Sequence, residues 1–315
     1  MTPDELLATI EDRGVRLVRF LWCGNDGTVR AKASARHGLA GRLGAGIGLT
    51  VAMQAMNSLD QLQPVAGMGP VGEVRLLPDL ETFRILPYAP RTGAVLTDHV
   101  QLNGSPAPVC QRSFLKRMER GLAERGLVLR AAFENEFSLA TAAGGAYVPI
   151  DSALCFSTIG MTASQDYVDE LAAALEAQRI PLEQYYAELG QGQQEISTGH
   201  APALQAADEQ ILVRETIRAV ATRRGLVASL APKPWLDNAG NPHSSDLKVE
   251  ERYHRVNQNL LELTVTLDDP KAYTKSWIAR NKLPLRLMPP NTDLMEMIPS
   301  ASEAAAYKKV FAAGK

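Results

Sequence analysis

The run VRLVRFLW alternates apolar and polar side chains, the period of two that a half-buried strand requires. Asn25, Asp26 and Gly27 follow with hairpin-turn chemistry, and TVRAKA alternates again as a return strand. A short helix precedes this hairpin. Thr2 is its cap, Pro3 takes the first helical position, Glu5 completes a capping box and Gly14 is the stop. Residues 41–72 are rich in Gly and Met without a clean period and read as a long loop with short elements, a length that points to function or an interface. EVRLLPDL, FRILPY and GAVLTDHVQLNG then read as short strands punctuated by Pro78, Pro87 and Gly104.

The texture then changes. Phe114, Leu115, Met118 and Leu122 recur at helical spacing, and Gly126 ends that helix before a strand, VLRAAFENEFSLA. A second helix, DYVDELAAALEAQRI, leads to PLEQYYAELGQGQQEIS, and a third, QAADEQILVRETIRAVATRRG, leads to LVASLAPKPW. From Leu247 only strand patterns remain, in LKVEERYHRV, LLELTVTLDDP, PLRLMP and LMEMI, with a turn at Asp268, Asp269 and Pro270. The shift near residue 240 is the strongest boundary signal.

Composition sharpens this outline mainly by exclusion. With 315 residues, 45% of them apolar, the chain has ordinary globular composition and room for two or three domains. Its 33 basic and 35 acidic residues are interspersed, so no electrostatic footprint for nucleic acid or an anionic membrane exists. Cys23, Cys110 and Cys155 lack the paired spacing of a zinc site or a disulfide framework and read as buried or incidental thiols. MTPDELLATIEDRG carries acids where a secretion signal needs a basic and then an apolar run, and no stretch approaches the roughly 20 apolar residues of a membrane span. A cytoplasmic location is expected.

Candidate chemistry rests on glutamates. In FENEF the strand period puts Phe133, Asn135 and Phe137 on one face, with Glu134 and Glu136 side by side on the other. Like charges about 7 Å apart repel, and they call for good solvation, a cation or a raised pKa. ELGQGQQE adds Glu188 and Glu195 on either side of a Gly-containing bend, so a strand-turn-strand path can carry both to the same place. Four glutamates without a Cys or His cluster make an all-oxygen site, suited to Mg2+ or Mn2+ and to phosphate-centred chemistry. No Walker loop, spaced G-x-G-x-x-G or Ser/Cys nucleophile motif occurs. The histidines are scattered, and Asp208 and Arg214 read as part of the solvated face of the third helix.

Over about residues 10–240 the chain resembles the glutamine synthetase family. The matching landmarks, in order, are LLPDLETFRILPY, VLTD, FENEFSL, ELGQGQQEIS and AADEQILVRETIRAVATRRGLVASLAPKPW. The resemblance implies an α+β fold: a β-grasp domain over 1–100, then over 101–241 part of a catalytic domain whose curved antiparallel sheet is flanked by helices. It implies an ATP-dependent ligase that phosphorylates the γ-carboxylate of glutamate and lets ammonia or another amine displace the phosphate. By motif, Glu136, Glu188 and Glu195 would hold one Mg2+ or Mn2+, and Glu134 would help hold a second at the ATP phosphates. Glu183 falls where the family often has a nucleotide contact, and Asp60 lies near its ammonium-binding aspartate. Family members form stacked rings with active sites between neighbouring subunits, which implies a homo-oligomer or a partner subunit.

The family continues after KPW with a His-rich strand that supplies a second-metal histidine, where this chain has GNPHSSDLKVEERY. His243 stands near that place, preceded by Pro242. Residues 242–315 instead resemble the C-terminal part of an uncharacterised bacterial protein family, through ERYHR, TLDDPKAYTKSW and LMPPNTDLMEMI. A β-rich tail joined by gene fusion is therefore expected, in place of the family's arginine-bearing C-terminal half. Two functions follow: a ligase impaired by that loss, or a metal- or nucleotide-binding ring subunit without catalysis.

Overall fold

The computed structural model describes residues 1–57, 60–143, 146–230, 247–270 and 273–289. It divides into two compact units, Met1–Pro232 and Lys233–Lys315.

The first unit opens with α1 (Pro3–Asp12), capped by Thr2 and Glu5 in the expected reciprocal box, which buries Leu6 and Ile10. β1 (Leu17–Cys23) and β2 (Val29–Ala35) form the hairpin. Within the long Gly/Met segment lie α2 (Leu39–Ala45) and β3 (Ile47–Thr50), and β4 (Glu73–Pro78), β5 (Arg84–Leu86) and β6 (Ala89–Val100) follow. The strand order is β2-β1-β6-β4-β3, with β5 also on β6, and β1 runs parallel to β6 in an otherwise antiparallel sheet. This is the β-grasp arrangement. Leu6, Ile10, Val18, Phe20, Leu39 and Val95 make its core under α1 and α2.

The remainder of the unit comprises α3 (Gln111–Ala123), β7 (Arg130–Ala131), β8 (Glu134–Ala143), β9 (Ala146–Pro149), α4 (Thr158–Ala177), β10 (Leu182–Ala187), β11 (Gln193–Thr198), β12 (Ala201–Pro202), α5 (Ala203–Arg223) and β13 (Leu226–Ser229). Its main sheet has the order β10-β11-β8-β13, with β9 also on β8, and every pairing is antiparallel. One face packs on α4 and α5 through Phe137, Leu139, Ile196, Leu171, Leu175 and Ile217. Tyr167 of α4 stacks at a tilt on Phe137, ring centroids 5.8 Å apart, and donates its hydroxyl to the Ile217 carbonyl at 2.9 Å.

Two expectations change. Helix α3 keeps its apolar spacing, yet Phe114 and Met118 are exposed and only Ser113 is buried. Asp208 does not lie on a solvated face: it is 8% exposed and takes a bidentate bond from Arg112, Nε to Oδ1 at 2.8 Å and Nη2 to Oδ2 at 2.7 Å. Arg112 also reaches Asp98 Oδ1 at 2.7 Å and Asp79 Oδ2 at 2.9 Å, and Lys116 reaches Asp98 Oδ2 at 2.6 Å. Helical spacing places Asp208 on α5 but cannot reveal that α3 and the β-grasp sheet close over it. Arg214 is half-buried and donates to the carbonyl of the exposed Gly27 at 3.0 Å, a contact at the surface.

His99 of β6 is 1% exposed, and burial lowers its pKa to about 4, against a smaller raising effect of Asp98. A depressed folded value leaves stability intact above the unfolded pKa of about 6.5 and removes it as pH falls from there toward the folded value. At about 1.4 kcal/mol per pH unit, roughly 3 kcal/mol should disappear between those limits. Urea unfolding of the wild type and His99→Phe across that range should therefore diverge, with the flatter profile in the variant.

The second unit is a meander of β14 (Lys248–Asn257), β15 (Leu260–Asp268) and β16 (Trp277–Arg286), all antiparallel. Register places Tyr253, Leu263 and Leu283 in one row and Val249, Leu267 and Trp277 in another on the same face. The expected strand LMEMI lies outside the described residues. Among the described residues no helix is long and apolar enough to cross a membrane.

Candidate functional site

The open face of the β10-β11-β8 sheet carries the glutamates. Glu195 faces Glu136 across the β11-β8 ladder and Tyr186 across the β10-β11 ladder, so the three side chains stand in one row. Glu134, two residues before Glu136, shares this face, opposite Ser197. Glu188 follows β10, where its N–H bonds the Gln193 carbonyl at 2.9 Å and keeps it on the Tyr186 side. The opposite face holds Asn135, Phe137, Gln194 and Ile196, all buried, as the period of two demands.

The bend between β10 and β11 depends on Gly192. Its φ is 64°, in the left-handed region, and a Cβ there would collide with the Leu139 carbonyl oxygen. That close approach lets Leu139 N–H reach the Gly192 carbonyl at 2.8 Å, tying the bend to β8. Any side chain at 192 would push β11 away and separate Glu195 from Glu136.

Exposure is graded across the face. Glu134 and Glu136 are exposed, Glu188 is half-buried and Glu195 is 6% exposed. Burial, and then the charges of Glu136, Glu134 and Glu188, push the Glu195 carboxyl above the usual range, against the Tyr186 hydrogen bond that lowers it. Tyr186 donates its hydroxyl to Glu195 Oε1 at 2.6 Å, and its ring packs edge-on against Phe156 with centroids 5.1 Å apart. Burial and this bond to a carboxylate raise the Tyr186 pKa well above the ordinary phenol value. Gln193 Nε2 donates to Glu136 Oε2 at 2.5 Å, and the Leu189 N–H donates to Glu188 Oε2 at 2.8 Å.

Among the described residues none of these carboxylates has an Arg or Lys ion-pair partner, and no group of three or more His, Cys, Asp or Glu side chains stands in ligand geometry. Three of the carboxylates instead turn toward neutral donors. The donor set is nonetheless all oxygen and electrostatically unbalanced, which fits a hard divalent cation, and the neutral donors that now hold it can be exchanged by side-chain rotation.

The remaining candidates are not gathered here. Glu183 is exposed at a β-bulge between Leu182 and Gln184, beside Gly199. Asp60 lies in the β-grasp domain at φ 57°, and its exposed carboxylate accepts from Arg30 Nη1 at 2.7 Å. His243 lies outside the described residues. Sequence reasoning missed Tyr186 and Gln193. Both were discoverable, since each lies two residues from a candidate glutamate on the same strand path.

Residues 5–107 match the glutamine synthetase N-terminal domain, and residues 108–245 match the glutamine synthetase catalytic domain. This chain belongs to the glutamine synthetase family. It is 33% identical over 240 residues to the gamma-glutamylpolyamine synthetase GlnA3 of Streptomyces coelicolor, a match covering 75% of this chain and 52% of the relative. With the glutamate–isopropylamine ligase of a Pseudomonas species it shares 31% identity over 185 residues, 55% of this chain and 40% of that protein. The crystal structure of a novel glutamine synthase homolog superposes with a TM-score of 0.64 at 28% identity, over 81% of this chain and 56% of the other. The chain thus spans about half the length of the curated relatives it matches.

Proposed function

We propose that the carboxylate face is the metal-binding half of an ATP-dependent ligase site that joins ammonia or an amine to the γ-carboxylate of glutamate by way of a γ-glutamyl phosphate. The observation that carries this reading is the row Tyr186-Glu195-Glu136, flanked by Glu134 and Glu188, with carboxylates crowded on one face and lacking a cationic partner among the described residues. Glu136, Glu188 and Glu195 would hold one Mg2+ or Mn2+, and Glu134 would help hold a second. The ions would offset charge on the glutamate carboxylate and the transferring phosphoryl group.

The chain's own residues supply the setting. Glu195, the most buried of these carboxylates, is fixed from one side by Tyr186 and stands opposite Glu136, so the two would be available together to hold a cation. Glu183 would contact the nucleotide. Asp60 would serve the incoming amine from the β-grasp domain of a neighbouring copy, which makes a homo-oligomer or partner ring part of the reading. The relatives' amines differ, so the amine is a matter for assay.

Phosphate release from ATP, with glutamate, a divalent ion and either ammonium or isopropylamine, tests the ligase. Activity should exceed that of Glu136→Ala and Glu195→Ala; release equal to those controls would overturn it. Saturable Mn2+ binding without phosphate release would select a non-catalytic metal-binding subunit. Tyr186→Phe should weaken Mn2+ binding by about 10–100-fold, as loss of a group orienting a ligand does. Calorimetric titration beside the wild type measures this, and an unchanged affinity would show that Glu195 needs no such support.

A further inference from the structure

The segment between β9 and α4 runs beside β10, the edge strand of the carboxylate sheet. The Phe156 N–H donates to the Ala187 carbonyl at 2.8 Å, which fixes Phe156 next to both Tyr186 and Glu188. Its ring stands at 84° to that of Tyr186, so the two rings form a corner beside the carboxylate that Tyr186 holds, Glu195. The neighbouring Cys155 thiol registers the same closeness: burial raises its pKa, and the charges of Glu188 and then Glu195 add to the rise.

Phenylalanine is a costly residue at this place. Its φ is 58°, in the left-handed region, where glycine or asparagine fits and a bulky side chain is strained. Burial does not offset the strain, because Phe156 is 64% exposed. The ring of Tyr186 is the one aromatic partner it meets among the described residues. Strained positions of this kind cluster at ligand clamps, where the strain places a side chain that the backbone alone would not favour.

We propose that Phe156 is a specificity-determining residue, whose ring receives the organic substituent of the amine, so that the site takes primary amines carrying an aryl or branched alkyl group in preference to linear polyamines. This rests on the ligase reading of the carboxylate face and adds the substrate class. The corner offers two things to an amphipathic cation. Crowded carboxylates attract its ammonium, with the aromatic faces adding cation–π attraction, and the exposed ring of Phe156 gains by covering an apolar substituent. A linear diamine obtains only the first of these, because its second ammonium would have to lose water against an apolar wall. The nucleotide is assigned to the other end of the strand. Glu183 lies at the start of β10 and Glu188 just after its end, about 15 Å apart at the rise of a strand, so a base near Glu183 leaves the Phe156 ring free.

NMR titration of the full chain with Mg2+ present, using benzylamine, 1,4-diaminobutane and benzyl alcohol as probes, reads binding without turnover. Benzylamine should bind saturably and roughly tenfold or more tighter than either comparator, one of which lacks the ring and the other the charge. Phe156→Gly, which suits the backbone and so should fold, is expected to abolish the preference over 1,4-diaminobutane, and Phe156→Tyr to retain it. Benzylamine binding no tighter than either comparator, or a preference unchanged in Phe156→Gly, would overturn the proposal. So would a Phe156→Gly variant that loses ADP affinity while keeping that for benzylamine, since the ring would then serve the nucleotide. The two readings fail separately. Phosphate release no greater than that of Glu136→Ala with ammonium or any of these amines overturns the ligase, whereas release with ammonium but no preference for benzylamine overturns the substrate class alone.

Discussion

Replacing Arg112 with leucine is expected to lower the unfolding free energy of the first unit by about 3–5 kcal/mol. The guanidinium bridges three elements at once: Asp208 on α5 through a bidentate pair, Asp98 on β6, and Asp79 after β4. Burial pushes the Asp208 carboxyl up, and Arg112 only partly offsets this, so Asp208 depends on its cation. For Asp79 burial acts in the same sense, but the bond to Arg112 and the charges of Arg112 and Lys116 outweigh it and hold the carboxyl below the usual range. Without Arg112, Lys116 still serves Asp98 at 2.6 Å and Asp79 at 3.6 Å, whereas Asp208 has lost its bidentate partner.

The cost is therefore that of a buried charge stripped of its partner, far above the value of an exposed ion pair. For a unit of this size it corresponds to a fall of roughly 6–20 °C in the thermal midpoint. Arg112→Leu with Asp208→Leu should recover much of the loss, because the double change removes both the donor and the orphaned acceptor. Arg112→Lys should fall between, since an ammonium cannot reproduce the planar fork. Calorimetric or circular-dichroism melts of the four proteins check this, and a loss below about 1 kcal/mol in Arg112→Leu would show that the cluster is solvated in solution.

Glu195→Gln is the second large change, and its two effects have opposite signs. In the metal reading the carboxylate is the most buried of the proposed ligands and faces Glu136 across the ladder. Losing its charge should cost more than the 10–100-fold that a supporting residue costs, so Mn2+ affinity should fall by at least about 100-fold. Metal-free stability should hold or rise, because the substitution keeps the shape, keeps an oxygen for the Tyr186 hydroxyl and removes one of several like charges. Metal titration paired with urea unfolding separates the two. A variant that loses both affinity and stability would assign Glu195 a structural role instead.

The elements of the first unit were legible because burial imposes a period on the chain. The Thr2-Glu5 capping box, the β1-β2 hairpin and the alternation through FENEF each follow from interactions between residues a few positions apart. The glutamates could be named for the same reason, since a period of two puts Glu134 and Glu136 on one face whatever packs on the other. Where the pattern led astray, the partner lay far along the chain. Asp208 and Arg112 are 96 positions apart, and nothing local to α5 distinguishes a carboxylate facing water from one facing a guanidinium.

Local pattern was enough for the strand faces, the helix limits, family membership through the linked landmarks, and the all-oxygen character of the candidate site. Only long-range packing settles that Glu195 is the buried member of the carboxylate row, that Tyr186 holds it, and that the ring nitrogens of His99 and Trp22 lie buried without a hydrogen-bond partner among the described residues. The division has a physical cause. Periodicity records which side of an element avoids water, whereas burial depth, charge balance and hydrogen-bond partners depend on which distant element arrives to cover that side.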